Sequence, residues 1–265
     1  SCGLILEEGL DMDVLERIIA AMAEAAREAG VIIVTGDTKV VPRGAADKIF
    51  INTTGLGEII VNPAPSGHRA APGDAILVSG TLGDHGLAIL AQRGGLSFET
   101  TVESDAASLN HLVERLILEV GEIHVLRDPT RGGLATTLNE IAGQSGVVCR
   151  VEEPLLPVAP AVAAGCSFLG LDPLYLANEG KLICILPEAK AEAALAVLRQ
   201  DSLGRGAVRI GTVEAPQARQ ATEGAQVSQM KPGATTRAGQ VIIRTHLGGH
   251  RLLGMLEGEQ LPRIC

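Results

Sequence analysis

The sequence predicts a layered α/β (α+β) fold. Three observations predict it. Short continuous apolar runs of strand length alternate with longer segments of helical apolar spacing. The junctions between them are rich in Gly, Pro and Asp. Hydrophobic residues make up 46% of the 265-residue chain while aromatics make up 2%, so the core has to be aliphatic and packed between layers.

The first expected element is a helix over residues 11–29, in which Met12, Leu15, Ile18, Ile19 and Met22 line one face. Asp11 is its N-cap and Gly30 its C′ residue. Val31-Ile32-Ile33-Val34 reads as a buried strand ending in Thr35-Gly36-Asp37-Thr38-Lys39, and 49–54 and 58–61 read as two further strands. Pro and Gly interrupt every pattern in Asn62-Pro63-Ala64-Pro65-Ser66-Gly67, the expected linker. Strands are then expected at 75–79, 147–151, 182–186 and 208–213, and helices from Gly86 to Gln92 and over 104–120, 134–142 and 188–199. The polar stretch 217–237 reads as a loop or insertion. Residues 241–245 and 251–255 read as a hairpin across Leu247-Gly248-Gly249-His250, and 259–265 as a mobile tail. These elements divide into a first domain at 1–65, a second at 66–213, and a hairpin with tail at 214–265.

Composition narrows the function. A formal net charge of -9 argues against a general nucleic-acid binder, which needs a basic face to displace counterions. No apolar run approaches the ~20 residues that span a bilayer, and no secretory signal opens the chain. The sequence starts Ser1-Cys2-Gly3 without an initiator Met, which reads as a processed chain or a fragment. Five cysteines without a CxxC pair suggest neither a disulfide framework nor a zinc cage. Cys149, Cys166 and Cys184 lie in apolar stretches and read as buried small hydrophobes in a reducing, cytoplasmic compartment.

Five segments carry residues able to do chemistry. In Gly36-Asp37-Thr38-Lys39, Asp37 offers a hard carboxylate to Mg²⁺ and Lys39 a point charge to phosphate; an ordinary turn with a solvated Lys is the alternative. In Asp128-Pro129-Thr130-Arg131-Gly132-Gly133, paired glycines before a helix allow close backbone approach to an anion, with Asp128 for a metal and Arg131 for a phosphate. The alternative is a plain helix start capped by Thr130, and the pattern is not a Walker A loop. In Gly83-Asp84-His85-Gly86, His85 is a candidate base, but a structural His beside a capping Asp84 is preferred. In Ala177-Asn178-Glu179-Gly180-Lys181, Glu179 is a candidate general base, against a simple turn before the next strand. Last, Cys265 closes Gln260-Leu261-Pro262-Arg263-Ile264-Cys265, where a thiol buries nothing and invites oxidation, yet can travel between sites like a carrier arm. Arg263 favours its thiolate; an accidental terminal Cys is the alternative.

Together VTGDTKVVPRG (34–44), SGTLGDHG (79–86), RDPTRGGLATTLNEIA (127–142), LYLANEGK (174–181) and the terminal PRIC (262–265) resemble the hydrogenase maturation proteins of the HypE family. That family lies within the PurM-like, or aminoimidazole ribonucleotide synthetase-like, ATP-using superfamily. The resemblance runs through nearly the whole chain, and PRIC is its most specific part. It implies a PurM-like two-domain architecture with a flexible C-terminal tail, a homodimer formed through the first domain, and ATP and Mg²⁺ as cofactors. It also implies that a carbamoyl group on the Cys265 thiol is dehydrated to a thiocyanate, for the iron of nickel–iron hydrogenase. By matching positions Cys265, Glu179 and Lys39 are catalytic, Glu179 as base and Lys39 against the phosphate or carbamoyl group. Asp37, Thr38, Asp128, Thr130, Arg131, Gly132 and Gly133 contact the nucleotide, with Asp37 and Asp128 on the metal. The implied partners are the carbamoyltransferase HypF as donor and a HypC–HypD iron scaffold as acceptor. Two departures are visible: the chain reads as starting inside the family's first domain, without its early acidic strands, and 217–237 is longer than the family's connection. Two other readings are another PurM-like kinase or synthetase, which needs no Cys265, and a carrier module that only presents that thiol.

Overall fold

The computed structural model describes residues 1–93, 102–217 and 236–256. The chain divides into two compact units, 1–62 and 63–265. In the first unit a three-stranded sheet has the order β2-β1-β3, with β1 at Cys2–Glu7, β2 at Gly36–Val41 and β3 at Ile49–Thr53. β1 pairs parallel with β2, and helix α1 (Met12–Glu28) makes the crossover between them. β3 returns antiparallel on the other side of β1. As expected, Asp11 caps α1, its side chain accepting from the Asp13 N–H at 2.9 Å.

Two apolar runs of this unit depart from expectation. Val31-Ile32-Ile33-Val34 is not a buried strand: it is irregular and exposed, Ile32 at 84% and Val34 at 79%. The Val31 N–H is used to close the end of α1 on the Ala26 carbonyl, and pairing with β1 begins only at Cys2↔Gly36. The run is therefore consumed as the connection, and Gly36-Asp37-Thr38-Lys39 lies within edge strand β2 rather than after a strand. Residues 58–61 likewise form no strand, and Ile59 and Ile60 stand in solvent. An apolar run becomes a strand only where a ladder partner meets it.

The second unit is a seven-stranded sheet in the order β10-β9-β6-β8-β4-β7-β5. Its strands are β4 (Asp74–Val78), β5 (Val125–Arg127), β6 (Val148–Glu152), β7 (Ile183–Pro187), β8 (Val208–Glu214), β9 (Gln240–Arg244) and β10 (His250–Leu253). The expected hairpin forms, but β9 also pairs parallel with β6, so it is the margin of this sheet rather than a separate piece. The helices are α2 (Asp84–Arg93), α3 (Asn110–Val120), α4 (Gly133–Ser145), α5 (Pro160–Leu169) and α6 (Ala191–Arg199). α3 begins at Asn110 rather than at Ser104.

Central strands alternate between two cores. Ile76 and Val78 of β4, with Ile183 and Ile185 of β7, pack with Leu134, Leu138 and Ile141 of α4. Ala75 and Leu77, with Cys184 and Leu186, pack on the opposite face with Leu112 and Leu116 of α3 and Leu195 and Leu198 of α6. Cover on both faces explains why these strands read as unbroken apolar runs. Cys149, Cys166 and Cys184 are buried as expected, and burial raises their thiols to about 12, 11 and 12. Among the described residues no helix is long and apolar enough to cross a membrane.

Candidate functional site

Three loops of the second unit meet at one edge of its sheet. Val78 at the end of β4 pairs with Ile183 at the start of β7, and Ile183 pairs in turn with Arg127 at the end of β5. The segments 79–83, 128–132 and 174–182 therefore emerge side by side. Strand ends at such an edge are the usual place for ligands in layered α/β folds.

Asn178 ties the loops together. Its side chain is 1% exposed. Its Oδ1 accepts from the Gly83 N–H at 2.8 Å, and its Nδ2 donates to the Pro129 and Leu176 carbonyls, both at 3.0 Å. The Asn178 N–H donates to Pro129 O as well, at 3.2 Å. One buried amide thus fixes SGTLGDHG, RDPTRGG and LYLANEGK against each other. The loops are also joined where Gly86 N–H donates to Ala177 O at 3.0 Å.

Glycines make the close approach possible. Gly133 has φ +61, and a Cβ there would lie 2.5 Å from both the Leu174 and Leu176 carbonyl oxygens. Gly132, at φ 75, is the N-cap of α4. Thr130 is therefore not the cap that the sequence suggested, and no side chain caps this helix. The Gly133 N–H donates to the Thr130 carbonyl at 3.0 Å, and the rest of the first turn, with no side-chain cap, presents the positive end of the helix dipole, which suits an anion. The buried Thr136 Oγ1 beside Gly132 has no hydrogen-bond partner. Asp128 and Arg131 are exposed at the same loop.

Glu179 follows the hub directly. Its N–H donates to Asp105 Oδ1 at 2.9 Å, while Asp105 Oδ2 pairs with Lys181 Nζ at 3.0 Å. Its own Oε1 is buried without a hydrogen-bond partner. Burial raises the Glu179 carboxyl above its ordinary value; His85 opposes this, while Asp105 and Asp128 reinforce it. His85 is 9% exposed and shares a 2.8 Å hydrogen bond with Ser104 Oγ. A carboxyl half-buried among other acids, with one oxygen shielded from water, is tuned toward proton transfer.

The structure thus gathers Asp128, Thr130, Arg131, Gly132, Gly133, Glu179 and His85 in one unit. Asp37, Thr38 and Lys39 lie on the exposed edge strand β2 of the other, where Asp37 Oδ1 accepts from the Thr38 N–H at 2.9 Å. Cys265, with the rest of PRIC, lies outside the described residues, as does 218–235. Two contributors escaped the sequence reading. Asp105 stood in a stretch read as helix and gave no signal. Asn178 was visible only as a polar break in LYLAN, without its partners.

The metal donors are sparse. Among the described residues no three His, Cys, Asp or Glu side chains come together as a metal site. Mg²⁺ commonly takes one or two carboxylates and completes its shell with water and phosphate oxygens, so single carboxylates such as Asp37 and Asp128 suit an ion that arrives with a nucleotide.

Residues 71–222 match the C-terminal domain of the AIR synthase related proteins, and residues 1–59 match the N-terminal domain of that family. The carbamoyl dehydratase HypE of Cupriavidus necator is 51% identical over 265 residues, which is 100% of this chain and 70% of that protein. A solved hydrogenase maturation protein HypE in complex with ATP superposes with a TM-score of 0.89 at 69% identity, over 100% of this chain and 74% of that one. A HypE–HypF complex matches with a TM-score of 0.85 at 41% identity, over 96% of this chain and 76% of its counterpart. Likeness at this identity and coverage reaches both units and all three loops of the site, and the chain belongs to the HypE family of carbamoyl dehydratases, built on the AIR synthase related fold.

Proposed function

We propose that this chain dehydrates a carbamoyl group carried as a thiocarbamate on Cys265, at the expense of ATP, to give a thiocyanate. The cyano group then serves the iron of a nickel–iron hydrogenase. The observation that carries the reading is Glu179: a half-buried carboxyl with one buried, unpartnered oxygen and a raised affinity for protons, held by Asn178 and Asp105 at the meeting of three loops. An amide oxygen leaves poorly, so it must first become a phosphate ester. ATP supplies that phosphoryl group. The nitrogen loses one proton as its oxygen is phosphorylated and the second as phosphate leaves and C≡N forms. Glu179 is the base for these losses, releasing the first proton to solvent before it takes the second.

Around that step, the uncapped N-terminus of α4, with Gly132 and Gly133, accommodates phosphate oxygens, and Thr130 and Arg131 flank them. In the second unit Asp128 is a carboxylate for Mg²⁺ that comes with the nucleotide; in the first unit Asp37 is a carboxylate for Mg²⁺, Thr38 a nucleotide contact and Lys39 a charge to offset phosphate. Cys265 is the nucleophilic carrier. A HypF-type carbamoyltransferase loads the thiol, in keeping with the solved HypE–HypF pair. A HypC–HypD scaffold receives the cyanide, in the cytoplasm. The protein works as a homodimer through its first unit. The support is the apolar surface that unit exposes, including Val31 at 57%, Phe50 at 50% and Ile59 at 80%.

Intact mass of protein carbamoylated at Cys265, before and after Mg·ATP, tests the reaction. Loss of the mass of one water, absent in Cys265→Ser, is expected. A carbamoyl group that survives ATP would leave the chain as a carrier at most.

A further inference from the structure

The polypeptide is held by two side chains where it leaves the seven-stranded sheet. Asn139 Nδ2, on α4, donates to the Leu253 carbonyl at 2.9 Å and to its own helix at Ala135 O at 2.8 Å. The Tyr175 hydroxyl donates to the next carbonyl, Gly254 O, at 3.0 Å. Leu253 itself is 2% exposed and belongs to the core cluster under α4. Two successive carbonyls are thus fixed from two separate elements. Hydrogen bonding within the hairpin does not require either bond, because β9 already pairs with β10 up to Leu253↔Val241.

Both anchors belong to the frame of the site. Asn139 lies on the helix whose N-terminus is Gly132-Gly133, and Tyr175 stands four residues before Glu179. At ~3.8 Å per residue, the Tyr175 and Glu179 Cα atoms are at most ~15 Å apart. The nine residues 257–265 reach ~30 Å when extended, which covers that span. We propose that Asn139 and Tyr175 are positioning residues that root the C-terminal segment beside the site and so raise the effective concentration of the Cys265 sulfur at Glu179. This rests on the dehydratase reading above, and neither residue touches the reacting atoms.

The test separates rooting from chemistry and from folding. Tyr175→Phe removes only the hydroxyl. Asn139→Ala removes the amide at a helical position where Ala is the better helix former. In single turnover on the chain's own carbamoylated Cys265, each variant is expected to slow dehydration ~2–10-fold, the population shift carried by one net hydrogen bond. The same variants, with Cys265→Ser added, are then given an S-carbamoylated LEGEQLPRIC peptide in trans, where their rates are expected to equal the parent's. Hydrogen exchange at the amides of 254–256 is expected to accelerate in both variants. An unchanged rate in cis overturns the proposal, and so does an equal fall in cis and trans, which marks a structural role. If the parent removes no water at all, the dehydratase reading fails instead. The exchange measurement then still decides the anchor, and unchanged exchange overturns it.

Discussion

Asn178→Ala removes a buried side chain that joins the three loops of the site. In the folded protein its Oδ1 satisfies the Gly83 N–H, and its Nδ2 satisfies the carbonyls of Pro129 and Leu176. Pro129 O keeps a donor after truncation, the Asn178 backbone N–H at 3.2 Å. Gly83 N–H and Leu176 O lose theirs, and residue 178 is 1% exposed, so solvent does not replace the bonds directly. A buried group left unsatisfied costs ~1–3 kcal/mol, so the two together cost ~2–6 kcal/mol. The lower end applies if a water occupies the space vacated by the amide. Against a typical total of ~5–15 kcal/mol this is a large share. Urea unfolding followed by far-UV circular dichroism reads it as a lower midpoint at unchanged slope. ATP affinity should weaken in the same variant, because 128–132 and the start of α2 are no longer held in register. A loss below ~1 kcal/mol with ATP binding intact would refute the hub argument, since it would mean that the loops hold their arrangement without this residue.

Two further outcomes follow from the same geometry. Glu179→Gln should abolish water loss from the carbamoylated chain yet stabilise the fold near neutral pH. The folded carboxyl has a raised pKa, so its contribution to stability is full below the unfolded value and is lost as pH rises through the folded one. The Gln variant's advantage should therefore vanish as pH falls through the carboxylate range, and a variant less stable than the parent at neutral pH would contradict this. Gly133→Ala places a Cβ 2.5 Å from two carbonyl oxygens at φ +61, which costs at least the ~1–2 kcal/mol of a left-handed non-Gly residue. A thermal melt unchanged from the parent would show that the loop simply shifts.

Much of this protein was legible in the sequence. Local chemistry fixed α1, whose apolar spacing and Asp11 cap act within a few residues of each other. It fixed the core strands β4 and β7, whose unbroken apolar runs mean burial on both faces. It also marked Glu179 and the paired glycines before α4, because a polar break or a Gly pair in a patterned stretch is itself a local signal. Tertiary structure decided what depends on a distant partner. Val31-Ile32-Ile33-Val34 has strand composition, but β1 meets the chain only from Gly36, so the run stays exposed. Asp105 carries no local mark, and only folding sets it under the Glu179 amide and beside Lys181. Asn178 becomes a hub because β4, β7 and β5 end in one row, and strand register couples residues some fifty and ninety-five positions apart. The sequence thus named the candidate groups, and the fold assigned neighbours to those it describes, since hydrogen-bond partners and desolvation come from whichever segments long-range pairing brings together.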